Sequence, residues 1–232
     1  MATRTIKDVR NTMKYLREHD PEGLTAIEKY DKWAATYKSD LELMEYQSPK
    51  LAADIIASNF NGQPEDALVL DVACGPGQLP KWMNKHGFKH FVGIDGSKEM
   101  IKLATETGLY KELKEILLGP NPLPFKAGMF DVVVILGALE PTYVPFSILT
   151  EMCQVTKPGG LICVSKTNHM FDDGKSTVDL EKELQTLVEK GLWIRIERKK
   201  FDKILKKTCL KNNEEAEGYT SGTIHLFRVP SV

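Results

Sequence analysis

The stretch LVLDVACGPGQL at residues 68–79 constrains this chain more than any other. Its start is apolar on both alternations, which suits a strand covered on both faces. Asp71 then interrupts the run, and Gly75 and Gly77 flank Pro76 just before a helix-compatible segment. Glycines here let the backbone take positive φ and let a ligand touch the main chain. Further apolar runs follow: HFVGID (90–95), LKEILLG (113–119), FDVVVILGAL (130–139) and LICVSKT (161–167). Between them lie the helical patterns LPKWMNKHG, SKEMIKLATETG and PFSILTEMCQVTKPGG, the last closing in a Pro-Gly-Gly turn. Strands alternating with helices in this way make a parallel sheet with helices on both faces. An amphipathic helix, STVDLEKELQTLVEKG, and two runs of alternating character, LWIRIERKKFDKIL and YTSGTIHLFRV, complete the chain as an antiparallel pair. The expected fold is α/β: a doubly wound, Rossmann-like sheet of seven strands, five parallel plus the C-terminal antiparallel pair. Residues 1–62 read as a helical extension forming a lid, and 63–232 as the core of a single domain.

In an open parallel sheet, ligands bind beyond the carboxyl ends of the strands, where the strand order reverses. The glycine turn sits at such an end, and the amides opening the next helix face an anionic or electron-rich group. About twenty residues after Gly75 the second strand ends at Asp95, placed to accept hydrogen bonds from both hydroxyls of a ribose. These features point to an adenosine-containing cofactor. A dinucleotide fingerprint wants a third small residue, and Pro80 stands there. Asp71 would repel a diphosphate but attract an ammonium or a sulfonium. S-adenosyl-L-methionine carries both of those cations and an adenosine.

LVLDVACGPG resembles the first motif of class I S-adenosylmethionine-dependent methyltransferases, with Ala73 in place of that motif's first glycine. VGIDGSKEM is similar to the second motif, FDVVVILGAL to the fourth-strand motif, and VTKPGGLICVS to the turn before the fifth strand. The resemblance spans residues 30 to 166 and implies the same fold and cofactor. It implies cofactor contacts from Asp71, Ala73, Cys74, Gly75 and Gly77, with Asp95, Gly96 and Ser97 around the ribose. Met100 offers a polarizable thioether to the adenine. Leu118 and Gly119 stand where many relatives place an acid for the adenine amino group, so packing and backbone groups are expected to serve instead. Gly137 and Ala138 end the fourth strand beside the expected sulfonium, where a larger side chain would collide.

Tyr30, Trp33 and Tyr37 recur at helical spacing. They read either as a staple holding the lid to the sheet or as aromatic edges over the methionine end, since aromatic faces attract cations. Methyl transfer needs alignment of reactants more than acid–base chemistry, so no catalytic residue is assigned. Glu140, Tyr143, Asn168, His169, Tyr37 and Tyr46 are within loop reach as a base. Ser97 caps the following helix.

The formal charge of −1 provides no global attraction for nucleic acid or acidic membranes. Residues 195–211 are locally basic and read as an edge strand guarded by lysines, with Arg195, Glu197 and Lys199 on one face. A small-molecule acceptor is therefore expected, with nucleic acid and membrane disfavoured and the oligomeric state open. Cys74, Cys153, Cys163 and Cys209 show no paired spacing, which fits reduced thiols in the cytoplasm or nucleus. Asp8 and Glu18 argue against a mitochondrial leader. No cluster has metal-ligand spacing, so no metal is expected. The alternatives are a non-catalytic S-adenosylmethionine-binding regulator, a methyltransferase acting on protein or nucleic acid, and a nicotinamide-dependent oxidoreductase.

Overall fold

A computed structural model describes residues 4–17, 25–119, 121–140, 143–168, 175–207 and 218–231. His169, Cys209 and the end of the basic stretch, 208–211, lie outside the described residues. Seven strands form one sheet: β1 (Leu68–Val72), β2 (His90–Asp95), β3 (Tyr110–Glu115), β4 (Phe130–Leu136), β5 (Thr156–Thr167), β6 (Ile194–Lys206) and β7 (Tyr219–Arg228). Their order is β3-β2-β1-β4-β5-β7-β6. β1 to β5 are parallel, and β7 runs antiparallel between β5 and β6. The chain runs outward from β1 to β3 and returns to β4 on the other side of β1. The crevice therefore opens above β1 and β4, where the glycine turn lies.

Alternating strand residues feed two cores. Leu70, Val133, Ile135, Ile162 and Val164 pack with α6 (Ile148–Val155) and α7 (Lys175–Glu189) on one face. Val69, Val132, Val134 and Cys163 pack with α3 (Ser48–Asn59) and α4 (Gln78–Met83) on the other. α5 (Lys98–Thr105) follows β2 and is capped by Ser97, whose side chain accepts from the Met100 N–H. A third cluster joins α1 (Ile6–Arg17) and α2 (Ala26–Leu43) to Ile204 and Leu205 of β6. Asp40 is fully buried there. It accepts from Arg4 at 2.6 and 2.9 Å and from the Trp33 indole N–H at 2.8 Å, so an ion pair ties the segment leading into α1 to α2. Among the described residues, no helix is long and apolar enough to cross a membrane.

Three local expectations are corrected. The third strand is Tyr110–Glu115, not 113–119. Its pairing with β2 ends at Asp95↔Glu115, because β2 turns away at Gly96 and residues 116–118 lose their ladder partner. The segment after α6 is extended from Thr156, not a turn closing the helix. Pro158 lacks the N–H that a helix or ladder needs, so pairing with β4 lapses between Phe130↔Thr156 and Val132↔Leu161. Finally, Arg195 and Glu197 do not share a face. A bulge between them breaks the period: Arg195 reaches Gln185 on α7, whereas Glu197 accepts from Asn59 of α3.

Candidate active site

The glycine turn is held by its own backbone and by one carboxylate. Ala73, Gly75 and Gly77 all take left-handed φ of 54°, 53° and 82°. Gly77 forms the N-cap of α4, and a Cβ there would strike the Tyr110 ring at 2.9 Å. A Cβ at Gly75 would meet nothing within 4 Å, which leaves bare main chain facing open space. Asp95 at the tip of β2 accepts from the Gly75 N–H at 2.8 Å and from the Ser97 N–H at 2.9 Å. Burial raises its pKa, and those two backbone donors oppose the rise.

α2 closes over this end of the sheet. Its Asp31 accepts from the Ser97 hydroxyl and the Glu99 N–H, so the lid is pinned to the start of α5. A carboxylate at that helix start also meets the positive end of the helix dipole. Beneath α2 lies a cavity with about 780 Å³ of empty space, counting the solvent at its mouth. Ala73, Gly75, Asp95, Gly96, Ser97 and Met100 line one end. Gly137, Ala138, Glu140, Tyr143 and Val144 line the other, past the tip of β4, with Leu118 contributing from beyond β3 and Tyr30 and Tyr37 from α2. Its mixed apolar and polar lining is that of a small-molecule site.

Eleven of the sixteen residues expected to surround a cofactor thus share one cavity. Asp71, Cys74, Gly77, Gly119 and Trp33 lie outside its lining. Cys74 is buried behind the turn, its N–H donating to the Ile94 carbonyl at 3.0 Å. Gly119 adopts φ 108° against Pro145. The Trp33 side chain belongs to the α1–α2 core, where Asp40 satisfies its N–H.

Two polar groupings flank Gly137, and neither was apparent from the chain order. On the α3 side, Tyr46 brings its hydroxyl so close that a Gly137 Cβ would lie 2.7 Å from it. Glu45, with φ 50°, makes the turn that aims Tyr46 inward, and Lys206 and Tyr219 hold its carboxylate. Burial raises the Tyr46 pKa, while the hydroxyls of Ser48, Ser165 and Thr167 around its oxygen lower it. Those three buried hydroxyls make no hydrogen bond of ordinary geometry. On the α6 side, the buried Lys166 ammonium donates to the Glu140 carboxylate and, at 3.4 Å, to the Leu139 carbonyl.

The family described as Methyltransferase domain matches residues 70–164. Human methyltransferase-like protein 27 is 39% identical over 174 residues, covering 75% of this chain and 70% of its own length. The chain belongs to this methyltransferase family. It is an S-adenosylmethionine-dependent methyltransferase, and S-adenosyl-L-methionine is its cofactor. The ubiquinone biosynthesis O-methyltransferase of Xylella fastidiosa is 34% identical over 110 residues, 44% of this chain and 42% of that one. Among solved structures, a chain of the complex between the Haloferax volcanii Trm112 methyltransferase activator and its methyltransferase superposes with a TM-score of 0.64. It has 17% identity and covers 89% of this chain and 98% of its own. The [4+2]-cyclase SpnF gives 0.62 at 15% identity, covering 80% and 83%. Those two likenesses speak to fold alone, and the cyclase shows that this fold does not dictate one chemistry.

In this methyltransferase Asp71 accepts from the Tyr110 hydroxyl at 2.7 Å beneath the glycine turn. Burial pushes its pKa up to about 7, the Tyr110 bond opposes this, and the nearby Asp95 charge adds to it. A raised carboxyl pKa means that the folded state holds its proton more tightly than the unfolded chain, whose Asp ionises near 3.8. Its contribution to stability therefore falls as pH rises from about 4 to 7 and is level above that. Asp71→Asn keeps an acceptor for Tyr110 and removes the titration. Urea unfolding should show the variant gaining on the parent between pH 4 and 7, with the difference constant at higher pH. Parallel stability curves across that window would contradict the assignment.

Proposed function

We propose that the cavity beneath α2 holds S-adenosylmethionine and that this enzyme methylates a small molecule. The reading rests on one observation. Asp95 faces the cavity at the strand-order reversal while clamping Gly75 and Ser97, so a ribose-binding carboxylate and a bare main-chain cradle form one rigid unit. Ribose hydroxyls would donate to Asp95, and the adenine would pack between Met100 and Leu118. The methionine end would lie along Ala73 and Gly75, with its methyl toward Gly137 and Ala138. When bound, the cofactor supplies a methyl group already activated by positive sulfur. The protein's own task is then to align the acceptor and exclude water. Tyr30 and Tyr37 serve both ends, their phenols kept neutral by burial. Asp71 acts at one remove, through Tyr110 and the turn above it.

Of the N-terminal extension it is α2 that serves as the lid, while α3 packs on the sheet face, and a cavity covered in this way suits a small acceptor. The names of relatives in ubiquinone biosynthesis support the same choice. Cys74, Cys153 and Cys163 are free, which supports a reducing compartment, and we place the enzyme in the cytoplasm. Titration calorimetry with S-adenosylmethionine, S-adenosylhomocysteine and NAD tests the cofactor assignment. Heat is expected from the first two alone. NAD binding without S-adenosylmethionine binding would overturn it.

A further inference from the structure

The end of the cavity beyond Gly137 has a chemical character of its own. Among the described residues, no lysine, arginine or histidine lines the cavity, and its two ionisable carboxylates are Asp95 and Glu140. Asp95 lies at the ribose end. Glu140 lies at the far end, just past the tip of β4, with Ala138, Tyr143 and Val144 as cavity neighbours.

Glu140 is held there by Lys166. The lysine side chain is 5% exposed and the glutamate side chain 12% exposed, so the pair is nearly dry but the carboxylate still borders the cavity. A buried pair of this kind contributes little net stability against an apolar replacement. Its worth lies in what it fixes. Lys166 projects from β5 and is also bonded to the Leu139 carbonyl, so it sets the backbone just before Glu140 as well as the carboxylate. The partner wall is aromatic and neutral: Tyr143 meets Tyr30 edge-on at 5.6 Å, and its hydroxyl donates to the Leu16 carbonyl at 3.3 Å.

An anionic acceptor would meet a carboxylate already paired with Lys166, and among the described residues no lysine, arginine or histidine lines the cavity to balance a second negative charge. A group carrying N–H or O–H would instead find an acceptor of hydrogen bonds beside the place where the methyl arrives. We propose that Glu140 receives the acceptor's proton, and that the acceptor is an uncharged small molecule presenting a protic nitrogen or oxygen, not a carboxylate or phosphate. This rests on the cofactor placement proposed above. The acceptor heteroatom forms its bond to the methyl carbon as the sulfur–carbon bond breaks. The breaking bond's electron pair goes to sulfur, leaving a neutral thioether. The heteroatom's proton passes to the Glu140 carboxylate and from there to solvent. Lys166 is a positioning residue in this scheme, since it acts through Glu140.

The test uses the full chain saturated with S-adenosylhomocysteine, titrated at neutral pH with catechol and aniline as uncharged protic probes and with 3-phenylpropionate and phenyl phosphate as acids. Catechol or aniline should bind, and the two acids should not. With S-adenosylmethionine, release of S-adenosylhomocysteine should follow the probe that binds. Glu140→Gln preserves shape and should cut kcat about 100-fold or more, in the range for loss of a general base, with S-adenosylhomocysteine affinity unchanged. Lys166→Met should lower kcat, and Lys166→Arg should restore most of it. The glutamine variant keeps the test open if Lys166→Met fails to fold. Tighter binding of either acid, no binding of either protic probe, or an unchanged kcat in Glu140→Gln would overturn the proposal. Failure of S-adenosylhomocysteine itself to bind would strike the cofactor placement first and remove the proposal with it.

Discussion

Asp95→Ala lowers the affinity for S-adenosylmethionine by about 100- to 1,000-fold, read by titration calorimetry well below the variant's melting temperature. The size follows from two losses. Hydrogen bonds to a charged group contribute about 1.5–3 kcal/mol each, and the ribose would make two of them. The same carboxylate also fixes the cradle, accepting from Gly75 at 2.8 Å and Ser97 at 2.9 Å. Without it the left-handed turn is free to rearrange, and part of the binding energy is spent on ordering it again. The stated range corresponds to about 3–4 kcal/mol, the lower part of the roughly 3–6 kcal/mol that two such bonds carry, because water replaces part of what the carboxylate supplied. The variant should also melt at a lower temperature. A folded variant that melts earlier yet binds with unchanged affinity would show that Asp95 only braces the loop, and the ribose assignment would fail.

Gly137→Ala destabilises the protein by about 2–4 kcal/mol, measured by urea unfolding, from backbone strain and overpacking together. Gly137 has φ 67°, and its added methyl would sit 2.7 Å from the Tyr46 hydroxyl oxygen. Tyr46 has little room to retreat. The turn at Glu45 fixes its direction, and buried hydroxyls of Ser48, Ser165 and Thr167 lie behind it. Tyr46→Phe removes the colliding oxygen, so the double variant should recover about 1 kcal/mol or more relative to the sum of the two singles. Strict additivity would mean that the strain at φ 67° is the whole effect and that the phenol gives way.

The lid shows how far periodicity reaches. Tyr30, Trp33 and Tyr37 do share one side of α2, and the two tyrosines border the cavity. Trp33 does not, because a buried indole N–H needs an acceptor and Asp40, two turns along the same helix, provides it at 2.8 Å. Spacing can place three rings on a face, but hydrogen bonding sorts them within it. β6 is the edge strand that its basic residues suggest, but the expected sharing of a face by Arg195 and Glu197 fails for a similar reason. A strict period of two assumes an unbroken ladder, and one extra residue near Arg195 reverses which side chains meet α7. Asp71 was legible as a buried acid, yet its partner Tyr110 stands 39 residues on, on another strand.

The linear chain by itself determined the sheet class, the switch-point turn and the acid at the tip of β2. Each of these is a property of consecutive residues: apolar runs, left-handed glycines, and an acid at a strand tip. Only the tertiary structure decided which side chains converge around the cavity. Glu140 meets Lys166 across 26 residues, Asp31 meets Ser97 across 66, and Tyr46 reaches Gly137 from another layer of the fold. No local propensity encodes such meetings, because they depend on strand order and on where neighbouring strands end.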